Sequence, residues 1–218
     1  MDAADLDPAV YAAVLRDLAR VNRWTLAARP TLAFVAQAVG SAHEFSLLDV
    51  GFGQGDMLRA VARWAARAGK RARLVGVDLN PRSLGPARAA TPDGMGIEYR
   101  IGDYRDQPER FDLVVSSLVA HHMDDDELVA FVRWMEGHAA RGWMVNDLHR
   151  HPLSYRGYPW LARALRVHPM VREDGTLSIA RSFRPGEWRD ILEAAGVPSG
   201  AARIARRFPF RLCVERLR

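Results

Sequence analysis

The stretch Leu47-Leu48-Asp49-Val50-Gly51-Phe52-Gly53-Gln54-Gly55-Asp56 decides how the rest of the chain is read. An apolar run ends at Asp49 and Val50, three glycines alternate through the next positions, and a helical pattern begins at Met57. Glycine adopts the backbone angles of a tight turn and lets main chain approach a ligand with no Cβ in the way. The helix start behind it offers unpaired N–H groups. Strand, glycine turn and helix in that order open a nucleotide-binding α/β domain. The spacing excludes one large subclass. A dinucleotide cradle is spaced G-x-G-x-x-G, whereas here the glycines run G-x-G-x-G with Asp49 two residues ahead.

Outward from the turn, apolar runs and helical patterns alternate. Strands are expected at Phe45–Val50, Arg73–Leu79, Ile97–Ile101, Phe111–Ser117 and Arg141–Asp147. Helices are expected from Met57 to Ala68, over Pro86–Ala90, and from the acid run Asp124-Asp125-Asp126 to about His138. The near-continuous apolar run at Phe111–Ser117 suits a central parallel strand buried on both faces. Upstream, Asp7-Pro8 is a helix start with Val10, Val14, Leu18 and Val21 at helical spacing. A second helix runs from Pro30 until Gly40 stops it. Downstream, Leu153–Val167 is mostly helical and Thr176–Ala180 predicts a short extended piece. A last helix spans Pro185–Ala195, and paired strands at Ala202–Phe208 and Phe210–Leu217 surround Pro209. Five strand–helix alternations predict a doubly wound parallel α/β sheet, Rossmann-like, with N-terminal lid helices. One domain covers 1–218. Its parts are a helical lid at 1–40, a cofactor-binding core at 45–147, an acceptor-side insert at 148–182, and a closing helix and hairpin at 183–218.

The bulk properties fit that plan. The 218 residues are 49% hydrophobic, enough for one large core. No apolar run approaches the roughly 20 residues that cross a bilayer, and a start carrying Asp2, Asp5 and Asp7 lacks a signal-peptide pattern. One cysteine, Cys213, rules out a disulfide framework, so a cytoplasmic address is expected. The net charge of +5 rests almost wholly on arginine, Lys70 being the single lysine. The arginines are scattered through nearly every segment and form no stripe, which favours a solvated surface over a nucleic-acid partner.

Asp49 ahead of Gly51, Gly53 and Gly55 resembles the first motif of the class I S-adenosylmethionine-dependent methyltransferases, and the likeness extends from the lid helices to the closing hairpin. It implies a seven-stranded sheet whose last strand is antiparallel, with S-adenosylmethionine as cofactor. Asp49 and the three glycines would hold the methionine end. Asp78 stands 23 residues after Gly55 at the end of the second strand, where an acid can accept both ribose hydroxyls. Leu79 would pack on adenine. Asp103, with the backbone of Tyr104, would hold the adenine amino group, and Ser117 and Leu118 would touch the cofactor.

The next stretch, Val119-Ala120-His121-His122, resembles the small-molecule branch of that family. The Asn/Asp-Pro-Pro-aromatic motif of nucleic-acid amino-methyltransferases is missing, so a small-molecule acceptor and no nucleic acid are expected. Methyl transfer is an in-line displacement in which the enzyme mainly positions donor and acceptor. A hydroxyl acceptor also needs a base titrating near neutrality, and His121 or His122 suits the task. Asp147 could orient a histidine or share the proton, as it does by resemblance in some sugar O-methyltransferases. His149 is an alternative base. His149 and His151 could also ligate a metal, but catechol-type enzymes surround magnesium with acids, and no metal is expected. Tyr155, Tyr158 and Trp160 either line an acceptor pocket or pack the insert. The resemblance implies O-methylation of a phenolic or polyketide-type secondary metabolite. C-methylation of a quinol or phenol ring stays open, and an RNA or protein methyltransferase is a rival that the basic charge permits. The oligomeric state is left open, a homodimer among the options.

Overall fold

The computed structural model describes residues 7–218, so Asp2, Asp5 and the first six residues of the expected lid lie outside the described residues. In chain order the strands are β1 Glu44–Val50, β2 Arg71–Asp78, β3 Ile97–Ile101, β4 Phe111–Ser117, β5 Ala139–Leu148, β6 Ala202–Arg207 and β7 Arg211–Leu217. The helices are α1 Pro8–Trp24, α2 Ala28–Val39, α3 Asp56–Arg67, α4 Leu84–Ala90, α5 Asp125–His138, α6 Pro152–Ala164, α7 Pro169–Arg181 and α8 Pro185–Ala194. The seven strands pair in the order β3-β2-β1-β4-β5-β7-β6. The order reverses between β1 and β4, which places a crevice beyond the carboxyl ends of the parallel strands. β7 enters antiparallel between β5 and β6, as the expected closing hairpin requires.

Side chains along a strand alternate between faces, and the two cores follow that alternation. Leu48, Val50, Val114, Trp143 and Val145 meet Leu128, Phe131 and Val132 of α5 and Trp188 of α8. Leu47, Leu113, Val115, Met144 and Cys213 meet Phe34 and Val35 of α2 and Leu58 and Val61 of α3. Leu47, Leu48, Leu113 and Val114 are wholly buried, each side chain contributing about 1.5–3 kcal/mol by leaving water. Among the described residues no helix is long and apolar enough to cross a membrane.

Two expectations change. α2 packs on the sheet through Phe34 and Val35, its Thr31 accepting from Asn146 Nδ2 of β5 at 3.0 Å. Only α1 of the two N-terminal helices lies along the crevice. Thr176–Ala180 is not extended but belongs to α7. Leu177 and Ile179 imitate a two-residue period, yet the burial is helical. Val171 and Ile179, eight residues apart, are buried on one face while Leu177 is exposed. That face meets α1 in a third cluster, Val14, Val21 and Val171.

Candidate active site

A cavity of about 560 Å³ opens beyond the carboxyl ends of the central strands. Its floor is the glycine turn. Gly51, Gly53 and Gly55 all have positive φ, of 80°, 52° and 75°. At Gly51 a Cβ would also collide with Val119, so a side chain there meets both strain and a clash. Asp78 ties the turn to β2: its Oδ2 accepts from Gly53 N at 2.8 Å and its Oδ1 from Asn80 N at 2.9 Å. Asp78 and Leu79 line the cavity, and Leu79 presents an exposed apolar surface to it.

Asp49 lies behind the turn rather than on the cavity wall. Its Oδ1 is buried with no hydrogen-bond partner. Burial first, then the charges of Asp56 and Asp78, push its carboxyl up to about 8. Asp103 stands apart from both other acids. Its carboxylate is gripped by Arg105 at 2.6 and 3.0 Å, which holds it below the usual carboxylate range, and it is off the wall. Its neighbours Gly102 and Tyr104 do line the cavity, Tyr104 packing edge-on against Phe131 and Trp134.

Across the floor the β4 exit supplies Ser117, Leu118, Val119, His121 and His122. Leu118 adopts a left-handed backbone, φ 63°, anchored by its N–H to the Asn146 carbonyl at 3.1 Å. Such conformations cost about 1–3 kcal/mol and concentrate at functional sites. Behind His121 stands Asp147. Oδ1 of Asp147 meets His121 Nδ1 at 2.7 Å, and Oδ2 accepts from the His121 backbone N–H at 3.0 Å. Leu148 N also donates to Oδ1 at 2.6 Å. Burial alone would raise Asp147. The His121 charge and these hydrogen bonds outweigh it and hold the acid ionised. For His121, burial works downward but the Asp147 and Asp174 charges win, so its pKa is raised. An ionised Asp147 fixes the proton on Nδ1 and leaves Nε2 as the basic nitrogen of a ring that lines the cavity. The His122 ring lies 4.2 Å from that of His121, centroid to centroid.

His149 is not part of this group. It is buried off the cavity wall, bridged to Phe183, and its pKa is lowered by burial and then by Arg206. His151 caps α6, its Nδ1 accepting from Leu153 N at 3.2 Å. Among the described residues no cluster of three or more His, Cys, Asp or Glu side chains could hold a metal.

Several lining residues were not singled out by sequence. From α1, Tyr11 meets Ser83 Oγ at 3.2 Å and accepts from Asn80 Nδ2 at 3.0 Å, and Asn22 donates to Asp56 at 3.3 Å. From α6 and α7 come Leu153, Leu161, Asp174 and Ile179. Tyr158, one of the three aromatics named from the sequence, joins them, its hydroxyl donating to the Val171 carbonyl at 2.9 Å. Tyr158 thus lines the cavity, whereas Tyr155 and Trp160 are exposed and off it. Phe210 and Arg211 complete the wall from the start of β7. No local motif marks these positions, because each reaches the cavity only through tertiary packing.

Residues 47–142 match a family model described as a methyltransferase domain. No curated protein matches the sequence significantly. Solved structures do. The plantazolicin methyltransferase BpumL in complex with SAH superposes with TM-score 0.68 at 13% identity, over 96% of each chain. Human N-acetylserotonin methyltransferase in complex with SAM gives 0.68 at 14% identity, over all of this chain and 60% of its own. Magnesium protoporphyrin IX methyltransferase (ChlM) from Synechocystis PCC 6803 with bound SAH gives 0.60 at 20% identity, over 93% of this chain and 86% of its own. The strand order, the glycine turn and the matched segment define a class I methyltransferase fold. Residues 47–142 thus carry the likeness to a methyltransferase domain, within a chain that has the class I methyltransferase fold throughout.

Proposed function

We propose that the enzyme methylates a hydroxyl of a small phenolic or polyketide-type molecule, with His121 as general base and Asp147 as its orienting partner. The observation that carries this is the buried His121–Asp147 pair, 2.7 Å apart, beside a cavity whose far wall is mostly apolar. The residues of the donor side fit the cofactor. Asp78 offers carboxylate oxygens on the wall for ribose hydroxyls, and Leu79 a flat apolar surface for adenine. The unpartnered Asp49 Oδ1 suits the ammonium of the methionine end, and Gly51, Gly53, Ser117 and Leu118 line the cavity beside it, while Gly55 of the same turn lies off the wall. Tyr104 and Gly102 face the adenine side, with Asp103 behind them.

When bound, S-adenosylmethionine supplies an electrophilic methyl carbon on sulfonium. The chain does the rest. α1 and the α6–α7 insert exclude water, and the wall residues hold the acceptor oxygen in line. His121 Nε2 takes the hydroxyl proton while Asp147 stabilises the imidazolium, a step worth about 10²–10⁴ in rate. His122, against His121, shapes the same wall. C-methylation of a phenol ring would use the same base to form the phenolate, and only product analysis separates the two. The similarity to enzymes named for N-acetylserotonin, a porphyrin and plantazolicin supports a small-molecule or natural-product acceptor. Surface arginines paired with acids, such as Arg73 and Arg100 with Glu109 and Arg216 and Arg218 with Glu136, weaken the case for nucleic acid. A lone buried Cys213 suits a reducing cytoplasm.

The test is calorimetric titration with S-adenosylhomocysteine beside NAD, followed by methyl transfer to a panel of phenols. Micromolar binding of the first ligand alone, with transfer lost in His121→Ala, is expected. Full turnover in His121→Ala would remove the base assignment.

A further inference from the structure

Two charged side chains of β7 are buried, and they are treated differently. Glu215 is paired with Arg203 and Arg207, each at 2.9 Å. Arg211 is only 2% exposed, yet among the described residues no carboxylate comes within ion-pair distance of it, and its Nη1 is buried without an acceptor. The acid charges that act on it are those of Asp147 and Asp56. Both are committed elsewhere. Asp147 accepts from His121 Nδ1, His121 N and Leu148 N, and Asp56 from Asn22.

A buried, uncompensated guanidinium is expensive, and a fold keeps one where something else completes it. Here that something must come from the cavity, because Arg211 lines it. The guanidinium is a rigid fork of donors matched to carboxylate geometry, and it cannot neutralise itself by losing a proton. The same cavity is lined from α6, α7 and the β6–β7 turn by Leu153, Tyr158, Leu161, Ile179 and Phe210, with Asp174 the one acid among them, outside ion-pair distance of Arg211. The position follows from topology. Every parallel strand exits at this rim, whereas antiparallel β7 enters there, with Arg211 opposite Leu148 of β5. We infer that the acceptor is an organic acid whose carboxylate is held by the Arg211 guanidinium while its apolar body rests against α6 and α7. This rests on reading the cavity as the acceptor chamber of the methyltransferase. The same fork could serve the methionine carboxylate of the cofactor, and the experiment separates the two sources.

Protein loaded with S-adenosylhomocysteine is titrated with matched aromatic pairs, para-hydroxybenzoate against para-hydroxybenzamide and 2-naphthoate against 2-naphthamide. The acid of each pair should bind at least about tenfold more tightly than its amide, and Arg211→Gln should erase that difference. S-adenosylhomocysteine affinity should stay within about twofold, and Arg211→Lys should keep part of the preference. Equal affinity for acid and amide, or no binding of any acid up to about 10 mM, overturns the inference. A loss of about tenfold or more in S-adenosylhomocysteine affinity on Arg211→Gln also overturns it, moving the fork to the cofactor. Where the glutamine variant fails to fold, the wild-type comparison of acid with amide decides alone. Failure of wild-type protein to bind S-adenosylhomocysteine would be a separate result, against the methyltransferase assignment itself.

Discussion

The two halves of the cavity are built by different means. The half proposed for the donor comes from short runs of sequence, Val50 to Asp56, Asp78 to Ser83 and Ser117 to Val119, each at the end of a parallel strand. Much of what it presents is backbone, and its acid Asp78 is held by backbone N–H groups of the glycine turn and of Asn80. The acceptor half is assembled from α1, α6, α7 and the start of β7, elements far apart in the chain. It presents side chains, mostly apolar, with Asp174 and Arg211 among them. A half made of local backbone can hold one invariant ligand. A half made of distant side chains can change its ligand while the sheet below stays as it is.

The sharpest way to break this comparison is to separate turnover from cofactor affinity. His121→Ala should lower kcat by about 10²–10⁴ while the S-adenosylhomocysteine Kd stays within about twofold. A parallel loss of binding would place His121 in the donor half. Next in size, Asp78→Ala should weaken S-adenosylhomocysteine roughly 10- to 100-fold in calorimetry, the worth of a lost hydrogen bond to a carboxylate at about 1.5–3 kcal/mol. At saturating cofactor its kcat should change little.

The pH dependences divide the halves again. His121 must be neutral to act as base, and its pKa lies above the ordinary value of about 6.5. The acid limb of kcat/KM should therefore fall above pH 6.5, activity declining as pH drops through it. For stability the sign is opposite: the raised His121 pKa stabilises the fold below about pH 6.5, a contribution lost as pH rises through the folded value. Asp49, at about 8, is mostly protonated at neutral pH. A cofactor ammonium placed beside it favours the ionised form, so binding at pH 7 should release close to one proton. Calorimetry in two buffers of different ionisation enthalpy measures this, and Asp49→Asn should abolish the release. An unchanged proton count would put the ammonium elsewhere. The smallest effect belongs to Asp103→Ala, expected to cost less than about threefold in cofactor affinity because Arg105 already occupies the carboxylate. A loss above about tenfold would return that carboxylate to the adenine.

The same division governs what the sequence discloses. Strand ends and the glycine turn are legible because their requirements are local: positive φ at Gly51, an acid at Asp78, an alternating apolar pattern at Leu47 to Val50. The pairing of His121 with Asp147 is legible as chemistry, since both sit at strand exits that the fold class makes neighbours. Arg211 is not. In the sequence it is one arginine of a scattered group with Arg216 and Arg218, and only the insertion of β7 between β5 and β6 buries it. α7 misleads for a related reason, since Gly175, Thr176 and Ile179 are weak helix formers and the helix is held by packing on α1 and α6. His149 lies near Asp147 in sequence, but its bridge to Phe183 carries it away from the cavity.

One feature of α1 bears on the tempo of catalysis. Along its length it is fastened to the donor half through Asn80 and Asp56, and to the acceptor half through Asp17, which accepts from His168 N at 2.8 Å, and Arg20, which donates to the Leu165 carbonyl at 3.0 Å. Its apolar anchorage is slight beside the two sheet-facing cores. A helix tied to both sides acts as a shared door. As the lid of the proposed reaction, it would free spent cofactor and methylated product together, and a late departure of either would delay admission of the next pair. Egress, set by how readily this one helix peels back, would then govern the steady-state rate of that reaction wherever its chemical step is fast.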